Sequence, residues 1–250
     1  MAEAQFRYGK VVWRELMTHD SAASTRFYTE TFGWKANVMN MGTQNYTMFM
    51  MGQTPVAGMM EMPQGEMPAF WCSSISVENV DATKAAVEAA GGKTVAGPMD
   101  IPNMGRYCMF MDPQGAAFSV WHAANGDGDS AQPTAGNFCW EHLNASNVAE
   151  ALAFYTKVLP WTASTFAPTG TNNFAAAGCD IASVMPTQPG QPASWLSYVV
   201  VDALADAQAR VERQGGGILM PAHPVPTVGT ICVMRDNVGA VIGLMEPATR

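Results

Sequence analysis

The sequence predicts an α+β fold in which four strand-helix-strand-strand-strand (βαβββ) units pair into two open half-barrel domains with helices outside. Two repeats and one recurring order of elements lead there. The stretch from Val12 to Trp34 returns without a gap from Cys139 to Trp161. Trp13 meets Trp140, Leu16 meets Leu143, Phe27-Tyr28 meets Phe154-Tyr155 and Trp34 meets Trp161, all at an offset of 127 residues. A second block, Val77 to Trp121, returns as Val201 to Met245 at an offset of 124, bringing Gly91, Asp112 and Gly115 onto Gly215, Asp236 and Gly239. An internal repeat of this kind constrains the architecture before any local reading does.

Within the first unit, Val11 to Met17 alternates as a strand, with Trp13 and Glu15 on one face and Val12, Arg14 and Leu16 on the other. Thr18 or Asp20 can cap a helix that buries Phe27, Tyr28 and Phe32 and stops at Gly33. Trp34 to Met41, Tyr46 to Met51 and Pro55 to Met60 read as three strands. The second unit opens with a strand from Phe70 to Val77 and a helix from about Asn79 to Ala90, stopped by Gly91-Gly92. Its strands are Lys93 to Val95, Arg106 to Met111 and Ala116 to Trp121, the last two joined by the Asp112-Pro113-Gln114-Gly115 turn. Between them GPMDIPNMG, Gly97 to Gly105, reads as an irregular, lid-like loop, as does Pro221 to Gly229 in the later copy.

The expected domains are residues 1–124 (units at about 8–63 and 68–123) and 136–250 (units at about 136–187 and 193–247). The small, polar stretch 125–135 is the expected linker. Each concave sheet face offers a pocket.

Composition narrows the partners. With Lys+Arg 13 against Asp+Glu 21, nothing resembles the basic surface that a phosphate backbone requires, so nucleic acid is not expected. No window approaches the roughly 20 apolar residues of a membrane span, and the start has no apolar signal region. Five widely spaced cysteines, Cys72, Cys108, Cys139, Cys179 and Cys232, suit buried free thiols in a reducing cytoplasm. The nineteen methionines read mainly as adaptable core filling. Nucleotide, dinucleotide and common hydrolase motifs are absent.

With W-x-E-L-x-T-x-D from Trp13, F-Y-x-x-x-F-G-W from Phe27 and D-P-x-G-A from Asp112, the chain resembles the vicinal oxygen chelate superfamily. It is similar in particular to its tandem two-domain members, related to glyoxalases, bleomycin-resistance proteins and dioxygenases. That resemblance implies a divalent metal held by His and Glu side chains on the concave face. The matching positions here are Trp13, Cys72 and Ser119 in one half and Trp140, Leu196 and Gly243 in the other. Only Cys72 among them could bind a metal, so no cofactor is expected, with a divalent ion at other positions as the alternative.

Proton chemistry then falls to Glu15 and His142, which occupy equivalent positions, with Tyr198 as a hydroxyl donor and the His-bearing half preferred. Trp13, Trp140, Cys72, Arg106, Ser119, Trp121, Leu196 and Met245 are the expected ligand contacts, Arg106 as an anchor for an anion. Glu61 is the best spare metal ligand near Glu15; His19, His122 and His223 read as solvated or structural. The expected activity is that of a cytoplasmic lyase, isomerase or hydroxylase-type enzyme acting on a small aromatic or carbonyl compound without the usual metal. The alternatives are a drug-sequestering binding protein and a metal-dependent glyoxalase or extradiol-type dioxygenase. A small-molecule ligand is the expected partner of a monomer or homodimer.

Overall fold

The computed structural model describes residues 5–42, 45–65, 67–128 and 133–248. Four βαβββ repeats follow one another. The first is β1 (Val11–Thr18), α1 (Ser21–Phe32), β2 (Lys35–Asn40), β3 (Asn45–Met51) and β4 (Thr54–Glu61); the second is β5 (Phe70–Ser76), α2 (Val80–Ala89), β6 (Lys93–Ile101), β7 (Gly105–Met111) and β8 (Ala117–Ala123). The third is β9 (Phe138–Ala145), α3 (Val148–Val158), β10 (Thr162–Phe166), β11 (Thr171–Ala176) and β12 (Cys179–Pro186); the fourth is β13 (Ser194–Val200), α4 (Leu204–Arg213), β14 (Gly217–Val225), β15 (Gly229–Arg235) and β16 (Val241–Pro247). They form two open eight-stranded sheets, ordered β2-β3-β4-β1-β5-β8-β7-β6 and β10-β11-β12-β9-β13-β16-β15-β14.

The helices begin and end where the side chains require. Asp20 accepts from Ala23 N at 2.8 Å, and Asn79 and Asn147 cap α2 and α3 in the same way. Gly33 closes α1 in the left-handed region at φ 71°.

Compactness follows a different division from the order of the chain. One unit (unit 1) comprises the residues up to Val12, Cys72–Ser130 and Glu141–Trp195; the other (unit 2) comprises Trp13–Trp71, Ala131–Trp140 and the chain from Leu196 onward. Unit 1 thus combines the second and third repeats, and unit 2 the first and fourth.

Each unit has its own aromatic core and one buried relay of hydrogen bonds. In unit 2, Leu16, Phe27, Tyr28, Trp34 and Phe49 pack with Val199, Val211, Met234 and Ile242. Trp71 Nε1 donates to the Tyr28 hydroxyl at 2.9 Å, and that hydroxyl donates to Asp236 Oδ2 at 2.9 Å. Asp236 Oδ1 accepts from the backbone N–H groups of Val238, Gly239 and Ala240, tying down the hairpin turn. Unit 1 repeats the device with Trp195, Tyr155 (2.8 Å) and Asp112 (2.9 Å), whose other oxygen accepts from Gln114 N and Ala116 N. Burial raises the pKa of both aspartates, and both tyrosines are held far above the ordinary phenol range, first by burial.

Several expectations are corrected. The two lid-like loops are strands: β6 and β14 run on through Ile101 and Val225 and turn into β7 and β15 within three residues. Both lie at sheet edges, where a proline missing its N–H leaves no ladder broken, and register shifts absorb the irregular residues. All five cysteines are free, but Cys179 is exposed and Cys139 only partly covered. Of the expected linker, residues 129–132 lie outside the described residues. Asp127 within it is anchored, accepting from Arg7 N at 2.6 Å and Ser76 Oγ at 2.7 Å. Among the described residues no helix is long and apolar enough to cross a membrane.

Candidate functional site

Strand alternation decides which side chains share a face. On β1, Leu16 and Thr18 are fully buried toward the core, which leaves Trp13, Glu15 and Met17 on the opposite face. Glu15 stands opposite Gly58 of β4, and Gly58 opposite Met48 of β3. Two residues along β3, Tyr46 donates its hydroxyl to the Glu15 carboxylate and accepts from Trp13 Nε1 at 3.0 Å. Gly58 makes this closure possible: a Cβ there would run into the Tyr46 hydroxyl and come within 2.9 Å of Trp13 Nε1.

The indole, phenol and carboxyl form one short relay. Burial pushes the Glu15 carboxyl up to about 7, with the Tyr46 hydrogen bond opposing it. Tyr46 itself is raised far beyond the ordinary phenol range, by burial and then by the Glu15 charge, so it stays a donor at all physiological pH values. Glu15 can therefore both take and give a proton near neutrality.

The equivalent position on β9 behaves differently. His142 Nδ1 lies 2.8 Å from Ser183 Oγ, its cross-strand partner on β12. Burial pushes its imidazole down to about 4, opposed by a hydrogen bond with Asn144. At neutral pH it is an uncharged hydrogen-bonding group. The expected preference for the His-bearing half therefore reverses, because burial favours the neutral form of both residues and only Glu15 is thereby brought near pH 7. Since the unfolded-state His142 value of about 6.5 exceeds the folded one, His142 makes a contribution to stability that is lost as pH falls from about 6.5 through about 4. In chemical denaturation at pH 4.5 and pH 7.5, His142→Gln narrows this difference; an unchanged difference would remove His142 from it.

The remaining expected residues divide. Tyr198 is buried with its ring against Gly243, where a Cβ would collide with the ring, and burial raises its pKa. Leu196 and Cys72 are buried. Ser119 is fully buried, 2.6 Å from Ser74 Oγ, and donates to Ser73 O. These form the floor of their sheets. Trp13, Trp140, Trp121 and Met245 are partly exposed and available for contact. Glu15, Trp13, Trp140, Tyr198, Leu196 and Met245 belong to unit 2, whereas His142, Cys72, Ser119 and Trp121 belong to unit 1.

Arg106 is misplaced by the sequence reading. It shares the face of Cys108 and Phe110, which point into the core, and its guanidinium is held by Asp81 at 2.8 and 2.9 Å and by Asp100 at 2.8 Å. Anchoring an anion is not its role. Arg106→Gln is expected to leave ligand affinity within twofold and to change stability little, as exposed ion pairs do. A tenfold loss of affinity would restore it to the site.

Glu61 does not pair with Glu15; its carboxylate accepts from Ser21 N and Oγ at the start of α1. His122 Nδ1 lies 2.9 Å from Val77 O, with its ring stacked on Phe6, and His19 Nε2 lies 2.7 Å from Met67 O. Among the described residues, no three His, Cys, Asp or Glu side chains gather as a metal would need. Around Glu15 the neighbours are an indole, a phenol, a glycine and thioethers, a set that does not fit the oxygen- and nitrogen-ligated divalent ion of this fold.

Tandem βαβββ repeats, open sheets and a carboxyl on the first strand define a class of protein built on the glyoxalase and dioxygenase fold. The profile described as Glyoxalase/Bleomycin resistance protein/Dioxygenase superfamily matches residues 10–120. Over 254 aligned residues the chain is 31% identical to the Mycobacterium tuberculosis (strain CDC 1551 / Oshkosh) protein named "Putative glyoxylase CFP32", covering 98% of this chain and 97% of that one. It is 34% identical over 170 residues to the "Anthracycline biosynthesis protein DnrV" of Streptomyces peucetius, covering 62% of each. The Mn(II)-bound glyoxalase from Novosphingobium aromaticivorans superposes with a TM-score of 0.66 at 19% identity, covering 96% of this chain and 82% of that one. Homoprotocatechuate 2,3-dioxygenase from Arthrobacter globiformis gives 0.67 at 10% identity, covering 98% and 82%. The chain belongs to the glyoxalase/bleomycin resistance protein/dioxygenase superfamily.

Proposed function

We propose that this protein is a lyase or isomerase of its superfamily that moves a proton on a small aromatic or carbonyl compound, using Glu15 as acid and base and no resident metal. The observation that carries this is the relay from Trp13 through Tyr46 to a carboxyl held at about 7. A carboxylate of that basicity accepts a proton from a carbon beside a carbonyl, and the acid so formed returns it at a neighbouring atom. Tyr46 and the indole fix the carboxyl's orientation while Met48 and Met60 line its surroundings. The names of the relatives, a glyoxylase and a protein of anthracycline biosynthesis, are compatible with a carbonyl substrate. A cytoplasmic setting and a monomeric or homodimeric state complete the reading.

The test needs no knowledge of the product. In D2O at pH 7.5, NMR of a panel of aromatic ketones, hydroxyquinones and 2-oxoaldehyde adducts should reveal a compound whose α-hydrogen exchanges only with protein present. Tight binding across the panel without exchange would favour the drug-sequestering alternative, for which the partly exposed Trp13 and Trp140 supply stacking surfaces.

A further inference from the structure

The two equivalent sheet faces, one around Glu15 and one around His142, are chemically unlike, and the contrast defines what the first would accept. Beside Glu15, the register places Met48 on the strand beyond Gly58, while the adjoining row runs Met39–Tyr46–Met60–Met17 across β2, β3, β4 and β1. These four methionines are all partly exposed, whereas their strand neighbours Thr47, Phe49 and Met59 are buried on the core side. Around His142 the positions of Met48, Gly58 and Met17 read Asn173, Ser183 and Asn144, while that of Met60 keeps a methionine, Met185. Asn173 donates to Asp180 at 2.8 Å, and Ser164, its partner on β10, donates to the same carboxylate at 2.6 Å. Met48 has become Asn, Gly58 has become Ser and Met17 has become Asn.

Core filling does not explain the methionines of the Glu15 face, because they lie on the side away from the core and remain half-open. Thioethers on unbranched chains conform to flat rings and contact them favourably at the edge. Glu15 and the Tyr46 hydroxyl are the polar groups at the centre of this face and are joined to each other, with Asn37 exposed beside Met48 at the β2 edge. The geometry points to an extended, neutral, planar ring system bearing a ring carbonyl as the ligand of the Glu15 face, with Met48 and Met17 as the residues that determine this specificity and the His142 face excluded from it. The inference rests on the proposed function in assuming that Glu15 meets the carbonyl, and it adds the size and apolarity of what carries that carbonyl.

Binding can be read apart from turnover. Glu15→Gln protein, which lacks the proton carrier, is titrated calorimetrically with 9-fluorenone, a neutral planar tricyclic ketone, and with acetone as the small carbonyl. Fluorenone is expected to bind at least a hundredfold more tightly. Met48→Asn and Met17→Asn, each of which installs the residue of the other face, should each weaken it about tenfold through lost apolar contact. Ser183→Ala on the His142 face should leave the affinity unchanged. Thermal melts confirm that each variant is folded. Equal affinity for both ketones, or a loss on Ser183→Ala in place of Met48→Asn, overturns the inference. If fluorenone fails to bind while small carbonyls still undergo proton exchange in the wild-type protein, this inference falls and the proton-transfer reading stands. If fluorenone binds as expected and no compound exchanges, the reverse holds.

Discussion

Glu15→Gln is expected to reduce substrate α-proton exchange at least a hundredfold, because an amide of the same shape keeps the hydrogen bond from Tyr46 but cannot carry the proton. In the wild-type protein kcat/KM should rise with pH and level off above about 7, where the carboxylate is formed. Tyr46→Phe should move that inflection upward, since removing the hydroxyl removes the interaction that opposes burial. Glu15→Gln has a stability signature of opposite direction to its loss of activity. A folded-state value near 7 lies above the unfolded-state 4.5, so the native state binds the extra proton between them. Glu15 therefore contributes stability that is lost as pH rises from about 4.5 through about 7, by an upper bound of about 3 kcal/mol. Glu15→Gln does not, and should exceed the wild type in urea denaturation at pH 8 while matching it more closely at pH 4.5. Full activity in the Gln variant would leave Glu15 as a structural acid only.

The second large effect is on the fold. Tyr155→Phe should cost about 3 kcal/mol, because it leaves one buried and one partly buried group without their partner at once. The buried Asp112 Oδ2 loses its donor and the partly buried Trp195 Nε1 loses its acceptor. The ring itself is preserved, so packing contributes little to the difference. Tyr28→Phe should do the same through Asp236 and Trp71. Urea midpoints at pH 7 measure both, and a cost under 1 kcal/mol in either would mean that the relay adds nothing beyond the apolar packing of the rings. The partly exposed Tyr8 is the control, where Phe should leave the urea midpoint nearly unchanged.

Much of this architecture was readable in advance because the repeat is written in large side chains. Trp34 and Trp161, Tyr28 and Tyr155, and the two aspartates of the hairpin turns fall at fixed offsets, and the members of each pair do the same structural work in the finished protein. Glu15 was legible as a candidate from its place beside Trp13. Its partner Tyr46 was not, because the two meet only after β3 and β4 have taken their register, and the preference for His142 rested on an unburied value for the imidazole. Arg106 was misread although the signal was present: strand parity sets it with Cys108 and Phe110 on the helix-facing side. The lid-like loops failed for another reason. Pro and Gly ordinarily end strands, but at a sheet edge one side of the ladder has no partner to lose. How the repeats combine into compact bodies, first with fourth and second with third, is carried by contacts between distant parts of the chain, which local patterns do not encode.

That last arrangement bears on how the protein is made. A ribosome releases the first repeat long before the fourth, so Phe27 and Tyr28 emerge with apolar rings whose neighbours Val211, Met234 and Ile242 are still untranslated. The middle repeats can close on each other as soon as residue 195 has left the exit tunnel. Folding thus closes the middle of the sequence before its ends, and the apolar rings of the first repeat reach their final neighbours only when the last fifty residues arrive.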